Sequence, residues 1–208
     1  TIGGSFALMH QQRMDPLVLD PRWGNADLQP ERAFHLTISV DQAILPGLVA
    51  RVEGWHKAYD QLLVFPDAAD AREHGQWTND GFGEASGLEV AVEARHGRAH
   101  GSAAYGLSRS VRTNPLATEL PKETAAAGDR RHFLHLGGDL EVGRRRGLLL
   151  GVDYVFRTGW AIGSLGREVL DDGRTAVWDV AALDDRRRPD LHRVSARVEG
   201  THMLRAVR

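Results

Sequence analysis

Polar and apolar residues alternate one by one along several stretches of this chain, and the stretches are joined by connections that are by turns short and long. In Leu88-Glu89-Val90-Ala91-Val92-Glu93-Ala94-Arg95 one side reads Leu, Val, Val, Ala and the other Glu, Ala, Glu, Arg. That is the period of a β-strand, not of a helix. Arg98 to Ser108 sets Ala99, Gly101, Ala103, Tyr105 and Leu107 against Arg98, His100, Ser102, Ala104, Gly106 and Ser108. Leu134, Leu136, Leu140 and Val142 oppose Phe133, His135, Asp139 and Glu141, and Leu148, Leu150, Val152, Tyr154 and Phe156 oppose Leu149, Gly151, Asp153, Val155 and Arg157. The expected spans are Phe34 to Val40, Leu48 to Tyr59, Leu88 to Arg95, Ala99 to Ser108, His132 to Val142, Leu148 to Thr158 and Asp190 to Gly200, with a poorly patterned first one near Ile2 to His10.

The connections carry as much information as the spans. Short turns are expected at Asp41 to Gly47, His96-Gly97-Arg98 and Gly143 to Gly147, and long polar stretches at Asp60 to Gly83, Val111 to Asp129 and Gly159 to Pro189. Antiparallel barrels of bacterial outer membranes have this form, with short periplasmic turns, long outer loops and strands of about ten residues. Connections beyond about fifteen residues are uncommon in compact β domains and are generally functional. Alternation by itself leaves two readings open. In a soluble sandwich the apolar face meets a second sheet, and in a membrane barrel it meets lipid while the polar face lines a wet lumen. With the short turns periplasmic, Trp55, Tyr59, Tyr105, Tyr154, Phe156 and Trp160 fall in the upper parts of ascending strands, and Phe34 and Phe133 at the tops of descending ones, as in an outer aromatic girdle.

Composition narrows the partners. The 208 residues are enough for one domain with a real core, and a formal charge of -2 without a clustered basic face argues against nucleic acid. No run approaches the roughly eighteen apolar residues of a membrane-spanning helix, a test to which spanning strands are invisible. The absence of cysteine removes disulfide and thiolate chemistry. G-x-S-x-G, HExxH, P-loop and cysteine-zinc patterns do not occur, so neither enzymatic activity nor a cofactor is expected. His132 and His135 with Asp139 and Glu141 suggest a metal site at first glance, but residues three apart on a strand face opposite sides. Asp184-Asp185-Arg186-Arg187-Arg188 reads as a solvated loop segment.

Four blocks resemble one family in order. Trp23-Gly24-Asn25-Ala26-Asp27-Leu28-Gln29-Pro30-Glu31-Arg32 is similar to the Asn, Pro, Asp, Leu, Lys, Pro, Glu signature leading into a barrel strand of TonB-dependent outer-membrane receptors, with Ala26 and Gln29 departing from it. Physically, Pro30 withholds a ladder donor so that a strand begins only beyond it, and Asn25 and Asp27 suit the preceding turn. Asn79 to Glu89 resembles the family's glycine-punctuated re-entry after a long outer loop, Asp129 to Leu136 its Asp, Gln, Arg, His strand start, and Pro189 to Glu199 the strand after the next outer loop. The resemblance implies an all-β fold, a segment of about eight antiparallel transmembrane strands covering 1-208 as part of a larger barrel, ending past a descending strand at Met203 to Arg208. It further implies a plug domain, an energy-coupling box and the closing strands of a barrel of about 22 strands, none of which this sequence contains. The implied partners are outer-membrane lipid, a scarce small-molecule ligand such as a siderophore-iron complex or cobalamin, and the TonB energy-coupling protein acting through the plug.

Candidate ligand contacts are the residues expected on outer loops or the upper lumen: Trp23, Arg72, His74, Trp77, Arg130, Arg131 and Trp178. Rival readings are a soluble β-sandwich or small closed barrel of eight strands that binds a ligand, and an outer-membrane barrel without transport.

Overall fold

The computed structural model describes residues 1–11, 25–65, 77–118, 122–126, 128–143, 147–162, 164–169, 175–180 and 187–200, the side chains of 164–169 and 175–180 excepted. Its elements are β1 (Ile2–Gln11), β2 (Glu31–Leu45), β3 (Leu48–Val64), β4 (Thr78–His96), β5 (Ala99–Thr113), β6 (Glu123–Ala125), β7 (His132–Val142), β8 (Leu148–Arg157), β9 (Ser164–Val169), β10 (Thr175–Val180) and β11 (Leu191–Gly200). The main sheet has nine strands, ordered β1-β2-β3-β4-β5-β7-β8-β11 with β6 attached to β5, while β9 and β10 form a separate ribbon. Every ladder is antiparallel. The sheet is open: among the described residues β1 and β11 each have a strand neighbour on one side only, which agrees with the expected antiparallel segment and not with the rival closed barrel of eight strands.

Turn chemistry sets the register at the short-turn end. The β2–β3 turn is only Pro46-Gly47, with Leu45 opposite Leu48. Asp41 to Leu45, expected as turn, continues the strand instead. Proline's fixed φ followed by Gly47 at φ 82 is the pattern of a type II turn. In β4–β5 the turn is Gly97-Arg98, with His96 opposite Ala99 and Gly97 at φ 58, the first central position of a type II′ turn. Ahead of β2, Asp27 N–H donates to Asn25 Oδ1 at 2.9 Å and the strand starts at Glu31, directly after Pro30.

The long-loop end departs from expectation. β3 runs past Tyr59 to Val64 and β4 begins at Thr78, so much of Asp60 to Gly83 is sheet. The register breaks between Tyr59 and Leu62, where Gln61 takes φ 58. A bulge of this kind adds one residue and exchanges the faces that follow. Beyond it lies the most enclosed apolar packing, in which Leu63, Val64, Val111 and Ala117 are buried. Arg112 donates to the Leu63 carbonyl, Asn114 Nδ2 to the Phe65 carbonyl at 2.9 Å, and Asn79 Nδ2 to the Gln29 and Gln61 carbonyls at 2.9 and 2.8 Å.

Cross-strand partners share a face, so the register sorts the residues. One face carries Phe6, Leu8, Phe34, Leu36, Ile38, Val40, Val52, Leu88, Val90, Tyr105, Leu107, Leu134, Leu136, Leu140, Leu150, Val152, Tyr154, Phe156, Val194 and Val198. This apolar face is the exposed one: Phe6 is 79% accessible, Ile38 56% and Val194 71%. The other face is polar or small, with Thr37, Ser39, Glu53, Lys57, Glu89, Ser102, His135, Asp139, Asp153, Arg193 and Arg197, and along β2 its positions are the more shielded. Met9, Val49 and Leu191 are exposed apolar exceptions on the polar side. Trp55, Tyr59 and Phe133 also lie on the polar face, so they do not join Phe34, Tyr105, Tyr154 and Phe156 in any belt on the apolar surface. Trp160 lies beyond the end of β8.

The apolar band crosses the sheet on a slant. Its last residue before the polar edge is Phe34 in β2, above which Arg32 faces Asp60, and Val194 in β11, above which His192 faces Phe156. The row of Val194 runs through Tyr154, Leu136, Ala103, Val92 and Ala50 to Gln42 in β2. From Phe34 to Gln42 is a slide of about eight residues over about six strand-to-strand steps, which at roughly 3.4 Å per residue and 4.8 Å per strand is an incline of about 40° to 45°. The lower edge slides the same way, since the row of Val198, Leu150 and Leu140 reaches His96 at the β4–β5 turn.

Candidate functional site

On the polar face near the long-loop end, β3 presents Trp55, Lys57 and Tyr59 in succession, and β4 sets Gly87, Ala85 and Gly83 opposite them. Large side chains on one strand are accommodated by small ones on the next. The indole of Trp55 lies over Gly87, where an added Cβ would come within 2.6 Å of the ring. β5 continues the rows with Ser108 and Ser110, and the segment Gly128-Asp129-Arg130 closes one side. Together they enclose an open cavity of about 250 Å³.

The charges around this cavity are unbalanced. Lys57 Nζ sits 5.5 Å from the centre of the Trp55 ring, a cation–π contact. Arg130 stacks its guanidinium 4.8 Å from the Trp160 ring centre, and Arg188 lies 5.1 Å from the same ring. Among the described residues Asp129 is the one carboxylate in the lining, and its side chain is 1% exposed. It accepts from Arg187 Nη2 at 2.6 Å, Arg131 Nε at 3.1 Å and the Ser110 amide at 2.7 Å. Its charge is thus consumed by the wall. Arg109 also lines the cavity but pairs with Glu123 at 2.9 Å.

Elsewhere the polar face carries mixed charge. Glu53 and Glu89 stand directly opposite each other above Gly106, in a hollow of about 290 Å³ that Arg51 and Phe133 also line. Arg51 holds Asp41 at 2.5 Å, Arg197 holds Asp139 at 2.9 Å, and His135 Nε2 lies 3.2 Å from Asp153 Oδ1. His132 points to the apolar side, where its Nδ1 is 2.8 Å from the Tyr105 hydroxyl, so the two histidines are on opposite faces, as their spacing requires.

Of the residues singled out in the sequence, the structure brings Arg130 to the cavity and ties Arg131 to Asp129 behind it. Trp77 belongs to the packed rim, 5.5 Å from Phe65 edge to face, with its carbonyl accepting from Asn25 Nδ2 at 2.9 Å. Trp23, Arg72 and His74 lie outside the described residues, and Trp178 is in β10 with its side chain outside them. Of the segment Asp184 to Arg188, residues 184–186 lie outside the described residues, and Arg187 is drawn in by the Asp129 carboxylate and by the Asp129 and Gly159 carbonyls at 3.0 and 3.3 Å. Sequence reasoning missed Lys57, Ser108, Ser110 and Asp129, and took Trp55 and Tyr59 for belt residues. The available signal was phase, because Trp55, Lys57 and Tyr59 alternate with Gly54, His56 and Ala58. No family model matches the chain, and no curated protein matches it.

Proposed function

We propose that this chain is part of the wall of a bacterial outer-membrane β-barrel receptor that takes up a scarce, bulky nutrient, such as a metal chelate or a cobalamin-like molecule, by binding and translocation and without bond-making chemistry. The slanted apolar band carries this reading. A sheet with one broad apolar surface on its exposed side is unfavourable in water, where contiguous apolar patches are small, and is suited to hydrocarbon. Its incline falls in the range of strand tilts found in membrane barrels, about 35° to 45°. A soluble sandwich would need a second sheet over Leu88, Val90 and Val92, and no such cover is present among the described residues. The cavity and the packed rim at the long-loop end support a receptor over a bare barrel, and the four blocks resembling TonB-dependent receptors suggest energy coupling through a plug outside these 208 residues.

Refolding the chain from urea into lipid vesicles tests this. The expected result is co-flotation with the vesicles, resistance to carbonate extraction, and a β-rich circular dichroism spectrum. A chain that is monodisperse in detergent-free buffer and stays off the vesicles overturns the membrane reading.

A further inference from the structure

We infer that the cavity between β3, β5 and the Asp129 segment is the seat for an anionic arm, carboxylate or phosphate, of the transported ligand; the inference rests on the receptor reading above and names the ligand's chemistry. The cavity is smaller than the few hundred Å³ or more of a site that swallows a drug-sized molecule, so at about 250 Å³ it receives one group and leaves the remainder toward the long loops. Its polar lining is donor-rich, with Lys57, Arg130, Tyr59 and Ser110. Ser108 Oγ donates to the Arg130 carbonyl at 2.8 Å, which pins the segment that carries Arg130.

Among the described residues the balance of charge favours an anion over a cation. Asp129, the one acid at the cavity, is turned into the wall and answered by Arg131 and Arg187, while Lys57 and Arg130 have ring contacts and no carboxylate partner among the described residues. Positive side chains held over aromatic rings, part-shielded from water and without a carboxylate partner among the described residues, are suited to a counter-charge from outside the wall. An incoming carboxylate or phosphate supplies it with short charge-assisted hydrogen bonds, and Trp55 and Tyr59 offer flat surfaces beside it. Arg130 and Arg188 share the Trp160 ring, at 4.8 and 5.1 Å from its centre.

The test uses the full chain refolded in detergent micelles, with tricarballylate and inorganic pyrophosphate as probes and trimethyl tricarballylate as the uncharged control, read by tryptophan fluorescence and calorimetry. Saturable binding of at least one anion, absent for the ester and weakened at least about tenfold by Lys57→Gln and by Arg130→Gln, is expected. Arg197→Gln removes a positive charge elsewhere on the polar face and leaves the affinity within about twofold. Preference between the two anions assigns carboxylate or phosphate. The ester comparison needs no substitution and so stands even where a variant misfolds. Equal binding of ester and acid, no binding of either anion, or equal weakening by Arg197→Gln overturns the inference. Vesicle insertion with no anion binding removes only this site, whereas anion binding by a chain that does not insert removes the membrane reading and leaves the site.

Discussion

Phase decides the fate of neighbouring residues in this protein. Val92 shares the exposed face with Ala50 and Ala103 in the middle of the apolar band, while Glu93 shares the polar face with Val49 and Ser102. Val92→Arg in the protein folded into lipid is expected to cost about 2 to 4 kcal/mol, the penalty for arginine near a bilayer midplane, and Glu93→Arg far less. Folded yield in vesicles over a urea series measures both, and equal losses would show the register to be wrong. The facing of single residues was readable from the sequence wherever alternation was unbroken, as for His132 against His135. Partnership was not. Nothing in the linear order of Asp129 and Arg187 indicates that a carboxylate and a guanidinium so distant along the chain meet at 2.6 Å, nor that Tyr154 and His192 on adjacent strands lie 2.9 Å apart at the upper edge of the band.

The strands themselves were legible where both faces kept period two. β7 matches its expected bounds, and β8 differs by one residue. β3 and β4 were cut short because the bulge at Gln61 breaks the alternation, so that Leu62, Leu63 and Val64 read as an unpatterned apolar run, and because Gly81 and Gly83 look like loop punctuation. In the fold those glycines are spacers: a Cβ on Gly81 would meet Leu62 and Val64 at 2.5 to 3.0 Å. The ribbon of β9 and β10 lies inside a segment expected to be loop and had no apolar period to announce it. The two tight turns separate strain from crowding. Gly97 has φ 58 with open space around it, so Gly97→Ala is expected to cost about 1 kcal/mol from backbone conformation alone. At Gly47, φ 82 combines with a Cβ that would collide with the Arg95 carbonyl oxygen, whose residue also donates its amide to the Gly47 carbonyl at 2.6 Å. Gly47→Ala is therefore expected to lower the urea midpoint in detergent by clearly more than Gly97→Ala, and equal midpoints would refute the crowding argument.

At the scale of the molecule the sheet has a direction. Its two-residue turns lie at one end, and the packed rim, the cavity and the long connections at the other. An epitope tag inserted at His74 in cells making the receptor is expected to bind antibody without permeabilisation, and one at Arg145 only after it. Labelling at Arg145 with silence at His74 would invert the topology and put the cavity on the wrong side for capture. General architecture was open to sequence reading because face periodicity and loop length are local properties. Openness was expected from the resemblance to part of a larger barrel and not from the residues themselves, because whether the last strand returns to the first depends on curvature summed over every ladder. An open sheet carries unpaired edges that tend to associate, and among the described residues β1 and β11 each present one unpaired flank.

The β3–β4 pair rises above the apolar band from Ala58 to Val64, a height of about 20 Å along the strand, and is braced there by Arg112, Asn114 and Asn79. Such a braced ribbon behaves as a parapet around a well. Under the proposed receptor reading, a molecule approaching from outside is sorted by girth before it is sorted by charge: slender anions descend to Lys57, and a rigid globular body such as an antibody fragment stops at the lip. On that same reading, binders raised against the intact protein are expected to obstruct entry without touching the proposed anion seat at Lys57.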